Sequence, residues 1–164
     1  MNALRPLLLI LSLVVAAAVR AEVSILPAHD LAADGRDARE RGVAILLVFS
    51  ADHCPYCERL EENIIRPLLI SGDYDNKVVV RKVDLGRGAE LRDFDGDRRS
   101  PRDLAARYRA TLTPTVLLVD AEGKPLVPRI RGINTIDYYW ETLDGSIDQA
   151  LAKLRAARAI ARRP

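Results

Sequence analysis

The chain has 164 residues, of which 49% are hydrophobic, and this is enough for one packed domain but short for two. Its 25 basic residues are nearly balanced by 23 acidic residues, so it lacks the positive field typical of nucleic-acid-binding proteins. We find no internal repeat and no low-complexity run. The composition therefore excludes a repeat array and predicts a single domain without a nucleic-acid partner.

The first 21 residues have the pattern of a cleavable secretory signal peptide. Arg5 precedes thirteen residues without a charge, and Val19 and Ala21 are small or β-branched where a signal peptidase cleaves. As a helix the uncharged run spans about 20 Å, less than the bilayer core of about 30 Å. We therefore expect cleavage after Ala21, a periplasmic location and one mature domain over residues 22–164. An uncleaved membrane anchor is the alternative.

Three elements are predicted before the first cysteine. A short strand covers residues 22–26, and a polar, alanine-rich helix then runs to Arg41, with Asp30 as its N-cap and Gly42 as its stop. Residues 43–50 are an apolar run with the length and composition of a fully buried strand.

Two cysteines follow in the motif Cys54-Pro55-Tyr56-Cys57, where the strand gives way to a helical pattern. A helix N-terminus presents free N–H groups and about half a positive charge, so it stabilises a thiolate at Cys54. Pro55 suits the first helical turn because its missing N–H costs nothing there. Cys57 follows on the same helical face, so the two sulfurs can form and break a disulfide without a change of fold.

A structural disulfide and a metal site are the alternatives for this pair of cysteines. A disulfide closing a loop of about four residues stabilises a fold by only about 2 kcal/mol on the chain-entropy estimate, against about 3 kcal/mol for fifteen residues. Structural zinc takes four ligands, and the chain adds only His29 and His53 to its two cysteines. The pattern therefore favours redox chemistry at the dithiol, with no metal and no other cofactor.

The helix after the motif leads to a second strand. Cys57 and Leu60 begin an apolar stripe that faces the sheet, and Pro67 is predicted to kink or end the helix. Residues 77–85 form the next strand, so strand, helix and strand make a right-handed βαβ unit with parallel strands.

A charged, glycine-containing insertion covers residues 86–100. Asp93, Asp95 and Asp97 alternate as in a calcium-binding loop, but Arg98 stands where that loop requires glycine. We therefore expect a solvated insertion without a bound metal.

The C-terminal third is predicted to complete the sheet. After a short helix, residues 116–119 and 126–130 form two antiparallel strands joined by a short turn. Residues 135–143 are predicted to be irregular or briefly helical, and a final helix to begin at Asp144 or Ser146.

Two blocks of this sequence resemble the thioredoxin superfamily: the buried strand with its Cys-Pro-Tyr-Cys turn and helix, and Thr113-Pro114-Thr115 before a strand. The resemblance implies an α/β thioredoxin fold, with a four- or five-stranded mixed sheet flanked by helices on both faces. It also implies a cis peptide bond before Pro114, beside the cysteines. The backbone of Thr113 is then free to pair with an extended client segment, as in a thiol–disulfide oxidoreductase.

The expected catalytic residues are Cys54, which attacks a client disulfide, and Cys57, which resolves the mixed disulfide. The supporting residues beside the dithiol are His53, Pro55 and Tyr56. A protonated His53 favours the Cys54 thiolate and makes the pair more oxidising, while Asp52 and Glu58 oppose this effect. The sequence therefore leaves the direction of electron flow open.

Two positions depart from the thioredoxin pattern. Val48 occupies the strand position where cytosolic thioredoxins carry a buried aspartate, and His53 replaces the tryptophan before the first cysteine. Without that aspartate, Glu58, Glu61 or a water molecule has to accept the proton of the second cysteine. The dipeptide between the cysteines is similar to that of glutaredoxins.

We expect a monomeric periplasmic reductase that takes electrons from a membrane donor and passes them to client proteins with disulfides. A disulfide oxidase or isomerase is the alternative activity, and the short insertion does not resemble the large helical domain of the oxidase family. A non-catalytic binding module that uses the same groove is the alternative class of protein.

Overall fold

A four-stranded mixed sheet with helices on both faces forms the core of the chain. The computed structural model describes residues 23–87 and 89–162, so the predicted signal peptide lies outside the described residues. In chain order the elements are α1 (Leu31–Arg41), β1 (Ala44–Ser50), α2 (Pro55–Leu60), a π-helical segment (Glu61–Ile65), α3 (Arg66–Ser71), β2 (Val78–Asp84), β3 (Leu91–Arg92), β4 (Arg98–Arg99), α4 (Pro101–Arg107), β5 (Thr115–Val119), β6 (Ile130–Arg131) and α5 (Ile136–Ala161). The strand order in the sheet is β2-β1-β5-β6, and β3 and β4 form a separate hairpin.

The central strand is β1, which is buried along its whole length. It pairs in parallel with β2 and antiparallel with β5, and β5 pairs antiparallel with β6. Its side chains alternate between two apolar clusters: Leu46 and Val48 pack with residues of α2 and α5, and Ile45 and Phe49 with residues of α1 and α4. The α/β thioredoxin fold, with a mixed sheet between helices, is confirmed.

The two predictions for the N-terminal part have different outcomes. Helix α1 is confirmed, since the Asp30 side chain caps its first turn and Gly42 ends it with a φ of +76°. The strand predicted over residues 22–26 is wrong, because the described part of that segment is irregular and only Pro27 forms an isolated bridge, with Lys82 of β2. This bridge consists of two hydrogen bonds, from the Lys82 N–H to the Leu26 carbonyl at 2.9 Å and from the Ala28 N–H to the Lys82 carbonyl at 2.8 Å.

The helix after the cysteines continues through Pro67 rather than ending there. The π-helical segment precedes Pro67, which occupies the first turn of α3. Because proline lacks an N–H and its ring crowds the preceding turn, the helix widens before this residue and resumes regular geometry after it. Gly72, with a φ of +74°, then ends α3.

The charged insertion is folded at its centre rather than wholly solvated. Asp93 has no exposed surface and accepts hydrogen bonds from the N–H groups of Asp95 at 3.0 Å and Asp97 at 3.2 Å. It also pairs with Arg99 and Arg107. Burial disfavours its charge, but these hydrogen bonds outweigh burial and lower the pKa of Asp93. Across residues 23–87 and 89–162, no group of three acidic, histidine or cysteine side chains could hold a metal ion.

The antiparallel pairing after the second motif is confirmed, but the predicted bounds of the outer strand are wrong, since only Ile130 of residues 126–130 lies in β6. The Leu126 N–H donates to the Leu118 carbonyl at 2.9 Å, and Ile130 pairs with Val116. Three residues, 127–129, therefore face a single residue of β5 and form a bulge at the sheet edge.

One continuous helix, α5, replaces the predicted irregular segment and shorter final helix. Neither expected cap acts as one: Asp144 accepts a hydrogen bond from the Tyr74 hydroxyl at 2.9 Å, and Ser146 donates to the Thr142 carbonyl at 2.7 Å. Leu143 is fully buried, so packing holds the helix through this region. None of the helices in the described part of the chain is both long enough and apolar enough to span a bilayer.

Candidate active site

The two cysteines lie where β1 leads into α2, and they form a disulfide. Cys54 is the N-cap of α2, and its Sγ accepts a hydrogen bond from the Cys57 N–H at 3.2 Å. Pro55 occupies the first turn of the helix, as predicted. The helix terminus therefore directs a backbone donor at the Cys54 sulfur, which favours a negative charge there once the pair is reduced.

The two cysteines differ in exposure. Cys54 is half-buried, whereas Cys57 is only 2% exposed and belongs to the side of α2 that faces the sheet. The Cys54 sulfur is therefore accessible from outside the protein, while the Cys57 sulfur is accessible only from inside it. This arrangement suits the order of attack expected from the sequence.

The loop before β5 lies against the dithiol. Thr113 Oγ1 is 3.6 Å from Cys54 Sγ, and the Thr113–Pro114 peptide bond is cis. The Thr115 hydroxyl donates to the Leu112 carbonyl at 2.5 Å and so closes the loop. Within the described chain the backbone N–H and C=O of Thr113 have no hydrogen-bond partner, which leaves them available to a bound peptide.

Exposed side chains surround the half-buried sulfur. His53, Pro55 and Tyr56 are all exposed, and Leu112 is 55% exposed on the neighbouring loop. His53 has a φ of +53°, a conformation that non-glycine residues seldom adopt and that occurs preferentially at functional sites. The structure thus brings the predicted supporting residues to the same surface as Cys54.

Arg87, from the insertion, binds Asp52 beside the dithiol. Its Nε donates to both carboxylate oxygens at 2.8 Å, and these hydrogen bonds to Asp52 raise the pKa of Arg87. Gly86 permits this approach, since a Cβ there would lie 2.6 Å from Asp52 Oδ2. Of the two negative charges that oppose the effect of His53, that of Asp52 is therefore paired with a cation. Sequence reasoning missed Arg87 because its partner is 35 positions away.

A half-buried ion pair lies one helical turn beyond Cys57. Glu61 accepts a hydrogen bond from Ser50 Oγ at 3.2 Å and pairs with Lys82 Nζ at 2.6 Å. Glu58, the other carboxylate considered from the sequence, is exposed. Glu61 is therefore the carboxylate that the fold holds between the end of β1, β2 and the cysteine helix.

The strand register explains how Lys82 comes to this position. Val48 is fully buried and pairs directly with Lys82 of β2. Lys82 thus lies beside Val48, at the strand position where cytosolic thioredoxins carry an aspartate. Here no carboxylate stands at that position, and the ammonium group of Lys82 contacts Glu61. Sequence reasoning proposed Glu61 but missed Lys82 and Ser50, which lie in strands that look purely structural.

Known proteins show the same fold. A family model described as a thioredoxin-like domain matches residues 31–146. Among solved structures, a DsbH oxidoreductase superposes with a TM-score of 0.57 and 18% identity, covering 77% of this chain and 88% of its own. Trxlp from Edwardsiella tarda EIB202 gives a TM-score of 0.51 and 23% identity, covering 73% and 98%. No curated protein matches the sequence.

Proposed function

Because the chain belongs to the thioredoxin-like domain family, we propose that it reduces disulfides of client proteins in the periplasm. A thioredoxin fold with a Cys-x-x-Cys disulfide supports thiol–disulfide oxidoreductase chemistry in general. The proposal rests on one observation above all: a half-buried Cys54 at a helix N-terminus is joined to a buried Cys57. The predicted signal peptide is the basis for the periplasmic location.

Reduction of a client proceeds in two exchanges. The Cys54 thiolate attacks one client sulfur, forming a mixed disulfide and releasing the other client sulfur as a thiolate, which takes up a proton. Cys57 then loses its proton and attacks Cys54 Sγ, which releases the second client sulfur. Two electrons pass to the client, and the protein is left with its own disulfide. A membrane-bound donor of two electrons restores the dithiol, and a monomer is sufficient for both steps.

Glu61 accepts the proton of Cys57 in this scheme, directly or through one water molecule. Cys57 is buried, so its thiolate does not form readily without a nearby base. Glu61 follows it by one helical turn and is held by Ser50 and Lys82. The resolving step therefore depends on a group that contacts neither the client nor Cys54.

The backbone of Thr113 binds the client as an extended segment beside the cysteines. Its free N–H and C=O groups supply two hydrogen bonds, while Tyr56 and Leu112 offer apolar contacts. Backbone pairing is independent of client sequence, which suits a reductase that acts on several proteins.

Disulfide oxidation is the second candidate function, and the Asp52–Arg87 pair favours it. With Asp52 paired to Arg87, Glu58 is the remaining negative charge that opposes a protonated His53, and the balance shifts towards a stabilised Cys54 thiolate and a more oxidising disulfide. Against this, the insertion is a small hairpin rather than a helical domain. A redox potential at or below about −250 mV supports reduction, and one near about −120 mV supports oxidation.

Insulin reduction by the purified protein in the presence of a dithiol donor tests the activity. We expect turnover that is lost in Cys54→Ser, while Cys57→Ala accumulates a covalent adduct on Cys54 with envelope proteins. Turnover that survives Cys54→Ser contradicts the assigned nucleophile. An inactive parent protein that still binds unfolded clients identifies a non-catalytic binding module instead.

A further inference from the structure

A groove with a volume of about 620 Å³ opens at the sheet edge, away from the two cysteines. The bulge at residues 127–129 forms one wall, and the end of α4 with Tyr108 forms another. Leu117 and Val127 lie at its floor and are largely buried, and the exposed Pro125 and Pro128 contribute apolar surface. The dithiol chemistry makes no use of this part of the molecule.

The groove has more positive than negative charge. Three cationic side chains line it, those of Arg109, Lys124 and Arg129, and none of them forms an ion pair with a carboxylate of residues 23–87 or 89–162. The other charged residues that line it already have partners: Arg107 binds carboxylates of the insertion, and Glu122 binds an arginine of α1. The three remaining cations are free to bind an anion.

Arg129 gives the most specific indication of a missing ligand. Its Nε is buried and has no hydrogen-bond partner among the described residues. A guanidinium N–H that is neither solvated nor bonded is unfavourable, and buried donors are nearly always satisfied. The residue stands at the end of the bulge, and bulges commonly redirect a side chain at a sheet edge.

Arg109 also lines the groove, at the end of α4, and has an uncommon backbone conformation. It follows α4 with a φ of +52°, in the left-handed region where helix ends usually carry glycine or asparagine. Glycine would adopt this conformation with less strain, but it would contribute no positive charge to the groove.

We propose that this groove binds a small organic anion, with its carboxylate or phosphate group at Arg109, Lys124 and Arg129 and its apolar part on Pro125 and Pro128 above Leu117 and Val127. Arginine pairs well with both kinds of oxyanion, since its planar fork matches two of their oxygens. The volume lies in the range of about 300–1,000 Å³ found for small-molecule sites. The site does not depend on the redox function proposed above.

Phenyl phosphate, benzoate and benzyl alcohol are matched probes for the test, because they differ in the anionic group and share the ring. Each is titrated into the full mature chain and followed by amide chemical shifts and calorimetry. We expect saturable binding of at least one anion, with shifts at Leu117, Val127 and Arg129, and no saturation with benzyl alcohol. Whichever anion binds more tightly identifies the phosphate or the carboxylate class.

Arg129→Met keeps the length and apolar stem of the side chain and should weaken anion binding about tenfold, as expected when a charge-assisted hydrogen bond is removed. Arg109→Gly should weaken anion binding by a similar factor, and it relieves the strain of the left-handed backbone at residue 109. This variant therefore remains informative if Arg129→Met folds poorly. Arg155→Met, at an exposed arginine of α5, is the matched control and should bind like the parent. Equal weakening in all three variants, no saturable anion binding, or equally tight binding of benzyl alcohol overturns the proposal. None of these results bears on insulin reduction.

Discussion

Glu61→Gln tests the source of the base for the resolving step, because it removes the charge but keeps the shape of the side chain. Glu61 and Lys82 are 24% and 28% exposed, so their pair contributes about 1 kcal/mol to stability and the variant should fold. A general base contributes about 10²–10⁴-fold to a rate. We expect the resolving step to slow by about 100-fold, which corresponds to about 2.7 kcal/mol in the barrier.

The assay separates the two exchanges. A mixed disulfide of Cys54 with a small chromogenic thiol is prepared in each variant, and release of the thiol is followed by stopped flow across pH. Alkylation of Cys54 in the reduced protein reports the first exchange and should change little. In Glu61→Gln the release rate should rise with pH throughout the range, because hydroxide replaces the missing carboxylate.

Glu58→Gln is the matched control, since Glu58 directly follows Cys57 but is exposed. It removes the same charge from the same helix and should leave the release rate near that of the parent. Equal slowing in both variants would mean that the total charge of the helix matters and not the position of Glu61. An unchanged rate in Glu61→Gln would refute its role as proton acceptor.

Three further outcomes follow from the charged contacts. Arg87→Gln leaves Asp52 uncompensated beside Cys54, so alkylation of that cysteine should shift to higher pH, and an unchanged profile would show that solvent already screens the pair. Asp93→Asn leaves two arginines without their buried partner and should lower the free energy of unfolding, measured in urea, by about 2–3 kcal/mol. A loss below about 0.5 kcal/mol, the size expected for an ordinary surface substitution, contradicts the assigned role. Because the folded-state pKa of Asp93 is depressed, its contribution is present above an unfolded pKa of about 3.9 and disappears as pH falls through the lower folded value. The stability of the parent should therefore fall more steeply than that of Asp93→Asn below about pH 4.

The sequence by itself determined the elements whose signals are local. Asp30 and Gly42 carry the capping preferences of α1 in their own chemistry, and Cys54 at the N-cap with Pro55 after it follows from the first helical turn. The apolar run of β1 requires burial on both faces, and a helix between two strands requires parallel pairing. Neighbouring residues decide each of these features.

Long-range side-chain contacts were decided only by the tertiary structure. The register of β1 and β2 brings Lys82 to Glu61, the folded insertion brings Arg87 to Asp52, and the core keeps α5 continuous through Leu143. None of these pairings leaves a periodic or local trace in the sequence, because each depends on where two distant segments meet. The sequence therefore identified the dithiol, while the charged contacts that we propose for its proton transfer and reactivity depend on packing between elements.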